Sequence, residues 1–217
     1  MNRINGIIFD MDGLMVDSEP MQFRAINDAL VPFGVKVEEP EFIDMVGRKA
    51  IENFRTIVQE YKLPISAEEL NRKKTEAYLQ RIKTELEVMP GFFAVLEMFE
   101  RAGFTTAIAS SSPKRDILEV LDILSLTDRF GVIASGDEVK HGKPDPAIFL
   151  NALERLEGEA AQYLVLEDTA HGVNAAKAAG MYCIAVPNYY TRTQDFIRAD
   201  RVLDSLEQLD MELVSTL

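Results

Sequence analysis

The sequence predicts an α/β protein: a Rossmann-like parallel sheet core with an all-helical domain inserted near its N-terminus. Three observations carry that expectation. From residue 89 onward, short and continuously apolar runs alternate with helical patterns, as in a parallel sheet covered on both faces. A run of the same kind, Gly6–Phe9, stands alone far upstream. Between residues 16 and 86 the periodicity is helical and no strand is found. The expected division is a core of residues 1–15 and 87–217 and a helical domain of residues 16–86.

Taken in chain order, "GIIF" is the first strand. In "FRAINDALVPFG" the apolar residues Phe23, Ile26, Ala29 and Leu30 share one helical face, and the pattern stops at Pro32-Phe33-Gly34. A second helix is expected through "AIENFRTIVQEY", on Ile51, Phe54, Ile57, Val58 and Tyr61. Ser66 and Glu69 form a capping box ahead of a third, through Ala77, Tyr78 and Ile82. "FTTAIA" (residues 104–109) is a strand, followed by a helix in "PKRDILEVLDILSL" with Ile117, Val120, Leu121 and Leu124 on one face. "GVIAS" leads into "DPAIFLNALERLE", where Asp145 is placed to cap and Pro146 fits the first turn. "YLVLE" precedes "AHGVNAAKAAG", closed by Gly180, and "MYCIAVP" is the last strand expected.

The bulk composition narrows the function. The 217 residues include 47% apolar side chains, enough for a real core, and 36 acidic against 23 basic side chains give a formal charge of -13. That field disfavours nucleic acid as a partner, while a small phosphorylated ligand needs only one or two local lysines. The single cysteine, Cys183, has no intramolecular disulfide partner and reads as an inert buried thiol. No apolar run approaches the ~20 residues that span a bilayer, and "GIIF" is too short for a signal-peptide core. A cytoplasmic monomer without membrane contact is expected.

The ends of the core strands concentrate the polar chemistry. Ligands of open parallel sheets bind outside the carboxyl ends of the strands. After the first strand come Asp10 and Asp12, two carboxylates one residue apart. "SSSP" follows the second, the loop "GDEVKHGKPDP" with Asp137 and Lys143 the third, and Glu167-Asp168 the fourth. One such aspartate reads as a turn or a cap; four complementary strand ends do not. Several carboxylates cannot all stay ionised in one cleft without a cation, and oxygen ligands suit Mg²⁺. Lys143 and the hydroxyls and amides of residues 110–112 at a helix start supply an anion cradle. Together these describe a phosphoryl site in which one carboxylate is the nucleophile and its neighbour the acid/base. A serine hydrolase fits worse: there is no G-x-S-x-G elbow, and the two histidines, His141 and His171, both read as loop residues. The glycine spacing of a dinucleotide or Walker loop is absent after the first strand.

"FDMDGLMVDSEP", "IASSSP", "HGKPDP" and "VLEDTAHGVNAAKAAG" resemble, in order and separation, the four motifs of the haloacid dehalogenase superfamily. The helical insertion is similar to the cap of the subgroup that holds β-phosphoglucomutase and many small phosphatases. The resemblance implies that Asp10 is the nucleophile that becomes an aspartyl-phosphate and Asp12 the acid/base. It implies Mg²⁺ held by Asp10, the Asp12 carbonyl and Asp168, with Glu167 as an extra ligand or outer carboxylate. Ser110, the Ser111 amide and Lys143 would hold the phosphoryl group, and Lys143 would also keep Asp10 ionised. The dehalogenases proper lack an acid at the position of Asp12, so its presence favours phosphoryl transfer.

Two departures separate the chain from the mutases. The mutase histidine after the first motif is replaced by Gln22 in "EPMQFRAI". The mutase cap arginine aligns with Ala50 in "VGRKAIEN", with Arg48 and Lys49 nearby. Lys74 in "NRKKTEAY" does align with a cap lysine that contacts the distal phosphate. The expectation is therefore a Mg²⁺-dependent phosphatase of a small phosphorylated metabolite, a sugar phosphate in particular, with Gln22, Arg48 and Lys74 as cap-side contacts. A hexose-phosphate mutase is the alternative, and a non-catalytic phosphate-binding domain is a third reading.

Overall fold

The computed structural model describes residues 4–48 and 50–217; Lys49, named above, lies outside them. The strands are β1 (Gly6–Phe9), β2 (Thr105–Ser110), β3 (Val132–Ser135), β4 (Tyr163–Glu167), β5 (Tyr182–Ala185) and β6 (Arg201–Val202). They form one parallel sheet in the order β3-β2-β1-β4-β5-β6. The order turns around at β1, where Phe9 lies opposite both Ile108 and Leu166. The residue after β1 therefore leaves the sheet at a topological switch point, between the ends of β2 and β4.

The strands alternate side chains between two buried faces. Ile7, Phe9, Ile108, Leu164 and Leu166 pack with helices α5 (Phe92–Arg101) and α6 (Lys114–Ile123). Ile8, Ala107, Ala109, Val165 and Cys183 pack with α7 (Ala147–Leu156) and α8 (Ala170–Ala178). A short C-terminal helix, α9 (Met211–Ser215), closes the chain.

Between β1 and α5 the described residues contain helices and no strand: α1 (Glu19–Leu30), α2 (Glu39–Ile43), α3 (Ala50–Glu60) and α4 (Ala67–Glu85). Ile26, Leu30, Phe42, Phe54, Ile57 and Leu70 belong to a separate apolar cluster. Met21 and Ala25 of α1, and Tyr78 and Ile82 of α4, belong instead to the main core. The α1–α4 pair thus has one end in each cluster. The two connections to the core pair with each other: Asp17 N–H donates to Glu87 O at 3.0 Å, and Met89 N–H to Met15 O at 3.0 Å.

Several local expectations are corrected. Four helices, not three, follow β1; the added α2 has five residues, of which only Phe42 is buried. Ser66 accepts from the Glu69 N–H at 3.1 Å, but the Glu69 carboxylate lies 3.8 Å from Arg72 rather than completing a capping box. Pro146 stands at the N-cap of α7, with Asp145 Oδ1 accepting from the Ala147 N–H at 2.9 Å. His171 lies in the first turn of α8, not in a loop. Among the described residues no helix is long and apolar enough to cross a membrane.

Candidate active site

Asp10 emerges from β1 with its N–H on Leu166 O at 3.0 Å and is 6% exposed. The Lys143 ammonium reaches it from the loop after β3. It donates to Asp10 Oδ1, to Glu167 Oε1 at 2.6 Å and to Ala109 O at 3.0 Å. Three acceptors use the three protons of an ammonium. Glu167 Oε2 in turn accepts from Thr169 N–H and Oγ1, each at 2.9 Å. Its carboxyl occupies the space that a side chain at Gly172 would fill, so the first turn of α8 closes over it only because residue 172 is glycine.

Asp168, the next residue, has one oxygen engaged and one not. Its Oδ2 accepts from Asn188 Nδ2 at 2.9 Å, while Oδ1 is buried with no hydrogen-bond partner among the described residues. Asp12 is held by the end of β2 and the loop after it, and by α1. Its Oδ2 accepts from Ser112 Oγ at 2.7 Å and from Ser110 Oγ at 3.4 Å, and its Oδ1 lies 3.5 Å from Gln22 Nε2. Ser110 Oγ also accepts the Ser112 N–H at 3.1 Å, which folds residues 110–112 into a compact loop at the end of β2. The start of α6 is capped from outside that loop, by Asp137 Oδ1 on the Lys114 N–H at 3.2 Å.

These groups line one cavity of about 470 Å³ between the strand ends and the helical layer. Ser111 is exposed at its rim. The helical layer contributes Gln22 from α1, Lys74 from α4, and exposed Arg48 from the turn before α3. The Lys74 ammonium lies 5.0 Å from the centre of the Tyr78 ring. Every candidate site residue named from the sequence therefore reaches the same cavity.

Two groups were not singled out in the sequence. Glu19, 5% exposed in the first turn of α1, lines the cavity with its Oε2 unpartnered among the described residues. In the sequence it reads as an ordinary first-turn glutamate facing the helix dipole. Asn188, in "VPNYYT", reads as a turn residue; only its hydrogen bond to Asp168 reveals it.

The electrostatics of the cavity are dominated by burial. Burial raises the Asp10 carboxyl to about 8; Lys143 opposes the shift, and Glu167 and Asp12 add to it. Burial pushes Asp168 well above the carboxylate range, helped by Glu167 and Glu19, and Glu19 likewise, helped by Asp12. Burial works against the Lys143 charge, but Asp10 and Glu167 outweigh it and hold the ammonium above its ordinary range. Burial lowers Lys74 to about 8, against the pull of Asp12 and Asp116.

The Lys143 ammonium alone does not balance the carboxylates of Asp10, Glu167 and Asp168, and a divalent cation fits them. The available donors are oxygens, and the orphaned Asp168 Oδ1 is a buried acceptor in want of a positive partner. Among the described residues no three His, Cys, Asp or Glu side chains form a metal-binding group. That accords with Glu167 being taken up by Lys143 and Thr169, which leaves Asp10 and Asp168 as the side chains that could hold a cation.

The family model of haloacid dehalogenase-like hydrolases matches residues 7–186. A phosphorylated carbohydrates phosphatase from Thermotoga maritima is 34% identical over 178 residues, covering 82% of each chain. CbbY from Cereibacter sphaeroides is 31% identical over 95% of this chain and 94% of its own. The crystal structure of CbbY from Rhodobacter sphaeroides in complex with phosphate superimposes with a TM-score of 0.92, covering 99% of this chain and 100% of that one. A bifunctional riboflavin kinase/FMN phosphatase from Arabidopsis thaliana is 32% identical over 95% of this chain, which spans only 54% of that protein's length. The order of the four polar strand ends, the parallel sheet and the matched family model agree, and the chain belongs to the haloacid dehalogenase-like hydrolases.

Proposed function

We propose that the protein is a Mg²⁺-dependent cytoplasmic phosphatase of a small phosphorylated metabolite, a sugar phosphate in particular. The observation that carries this reading is the pair of aspartates, Asp10 and Asp12, that line one cavity and are held by different partners. Asp10 is held through a single oxygen by Lys143, and Asp12 is oriented by Ser112 and Gln22. In the proposed reaction an Asp10 oxygen attacks phosphorus and the ester oxygen leaves with a proton from Asp12. Water then attacks the aspartyl-phosphate, giving its proton to Asp12, and Asp10 is regenerated with release of inorganic phosphate. Asp10, Asp168 and the Asp12 carbonyl would hold Mg²⁺, which when bound neutralises charge on the phosphoryl oxygens. Glu167 is read as the carboxylate that fixes Lys143, and Lys143 as the group that keeps Asp10 ionised. Ser110 and the Ser111 amide would cradle the phosphoryl group.

The helical segment, residues 16–86, is read as a lid whose two connections, near residues 15–18 and 87–90, flex together because they are paired. The name of the Thermotoga maritima relative supports the carbohydrate class, as do the polar groups Glu19, Gln22 and Lys74 on the lid side of the cavity. The lone buried thiol suits a reducing compartment. A screen of phosphorylated metabolites for phosphate release, with and without Mg²⁺, tests the reading. Hydrolysis of sugar phosphates that stops on verified chelation supports it, and full turnover without metal overturns the metal assignment.

A further inference from the structure

Asn188 joins three parts of the site through one carboxamide. Its Nδ2 donates to Asp168 Oδ2 at 2.9 Å and to the Gly13 carbonyl at 3.2 Å, so both amide protons are used. Its Oδ1 accepts from the Tyr190 N–H at 2.8 Å and from Thr191 Oγ1 at 3.4 Å. The amide cannot be flipped: the Gly13 carbonyl only accepts and the Tyr190 N–H only donates. Gly13 has φ +79°, and a side chain there would fall on Asp168 Oδ2, Asn188 Nδ2 and Glu19 Oε1. The loop after β1, the end of β4 and the loop after β5 are thus pressed together at this amide.

The consequence falls on Asp168. With Oδ2 fixed by Asn188, the carboxylate cannot rotate to bury Oδ1 against a donor, and Oδ1 is the atom left without a partner. We infer that Asn188 is a positioning residue: it holds the Asp168 carboxylate with Oδ1 presented for a divalent cation and so sets the affinity for that cation. The inference rests on the reading of Asp168 as a cation ligand given above. Partners one step removed from a metal commonly act this way, and their loss weakens binding.

The test is a calorimetric titration of the full chain with Mg²⁺ alone, without substrate, comparing four proteins. Asp168→Asn sets the benchmark and is expected to abolish measurable binding. Asn188→Ala is expected to weaken binding by about 10- to 100-fold, with kcat recovering at saturating Mg²⁺. Thr191→Val removes the hydroxyl that closes the 188–191 turn but leaves both Nδ2 donors, and is expected to bind as the parent does. If Asn188→Ala does not fold, Asn188→Ser, with one short donor, is titrated in its place. Parental affinity in the folded Asn188 variant, with binding lost in Asp168→Asn, overturns the inference alone. An equal loss in Thr191→Val also overturns it, because turn integrity would then be the cause. Parental affinity in Asp168→Asn overturns the cation-site reading, and this inference falls with it.

Discussion

The ammonium of Lys143 donates to Asp10 Oδ1 while bound to Glu167 and to the Ala109 carbonyl, so the lysine has no proton left for a further acceptor. Its first task is to hold two buried carboxylates together. Lys143→Met would leave both without a counter-charge. Breaking a buried pair from one side costs about 3–5 kcal/mol, and Mg²⁺ is expected to recover part of that. Chemical denaturation with and without the metal measures it. Unchanged stability in the metal-free variant would mean that these ion pairs contribute nothing to the fold.

The carboxylates also fix the pH dependence of the metal-free protein. Asp10 is raised from 3.8 to about 8 in the fold, and Asp168 is raised as well. Between those values the folded chain binds more protons than the unfolded chain, so stability falls as pH rises. The raised Lys143 acts only above its ordinary range, outside this window. Melting temperatures without metal are therefore expected to drop from pH 5 to about 8, with a shallower drop in Asp168→Asn, which removes one buried charge. Mg²⁺ is expected to flatten the parental profile. A metal-free profile that rises over the same interval would contradict the assigned burial of charge.

Asp10 and Asp12 are expected to fail differently. Asp10→Asn removes the attacking oxygen, and no phosphoenzyme should form with any substrate. Asp12→Asn keeps it but loses the proton donor. It is expected to react still with an aryl phosphate, whose leaving group needs little protonation, and then to release phosphate slowly. Acid-quench trapping with labelled substrate distinguishes the two, and a phosphoenzyme on Asp10→Asn would refute the nucleophile.

On the lid side, Glu19→Gln and Lys74→Ala are expected to raise KM for a sugar phosphate more than for an aryl phosphate. The reason is that both reach the cavity from helices of the inserted segment, α1 and α4, rather than from the strand ends. Lys74, lowered to about 8, faces Asp12 and Asp116 across the cavity and the Tyr78 ring on its own helix. The part of binding that depends on its charge is expected to fade as pH rises through about 8, and to be absent from the alanine variant. Equal losses on both substrates would place these residues in the fold or in the phosphoryl site.

What the sequence revealed follows from how each element is built. The strand ends were legible because each short apolar run stops abruptly at polar residues, and the register then brings those residues to one edge. β6 was not, since both Arg201 and Val202 are exposed and form no apolar run. α2 was hidden by its length: five residues with one buried side chain carry too little periodicity. Asp10, Asp12, Lys143 and Asp168 could be placed after the strand ends from where the apolar runs stop. Glu19 and Asn188 could not, because a first-turn glutamate and a turn asparagine have ordinary local explanations, and only tertiary contacts give them another.

The relation of Gln22 to Asp12 leads to the last prediction, net hydrolysis rather than isomerisation. Both outcomes begin with transfer to Asp10 and diverge in what attacks next. A mutase must exclude water while a sugar bisphosphate reorients, which demands control of Asp12 as a base. Here Gln22 Nε2 lies 3.5 Å from the Asp12 Oδ1, with its own Oε1 buried and unpartnered among the described residues. A glutamine donates a hydrogen bond but carries no positive charge, unlike a histidine at that position. Ala50, where the mutases place an arginine, offers no grip on a second phosphate, and Arg48 is exposed. Water is therefore expected to win the aspartyl-phosphate. Supplying β-glucose 1-phosphate with a trace of glucose 1,6-bisphosphate, and following glucose 6-phosphate against free phosphate, measures the partition directly. Gln22→His is expected to slow phosphate release relative to isomerisation. Isomerisation that outruns phosphate release in the parent protein would make the chain a mutase and reverse the reading of Gln22.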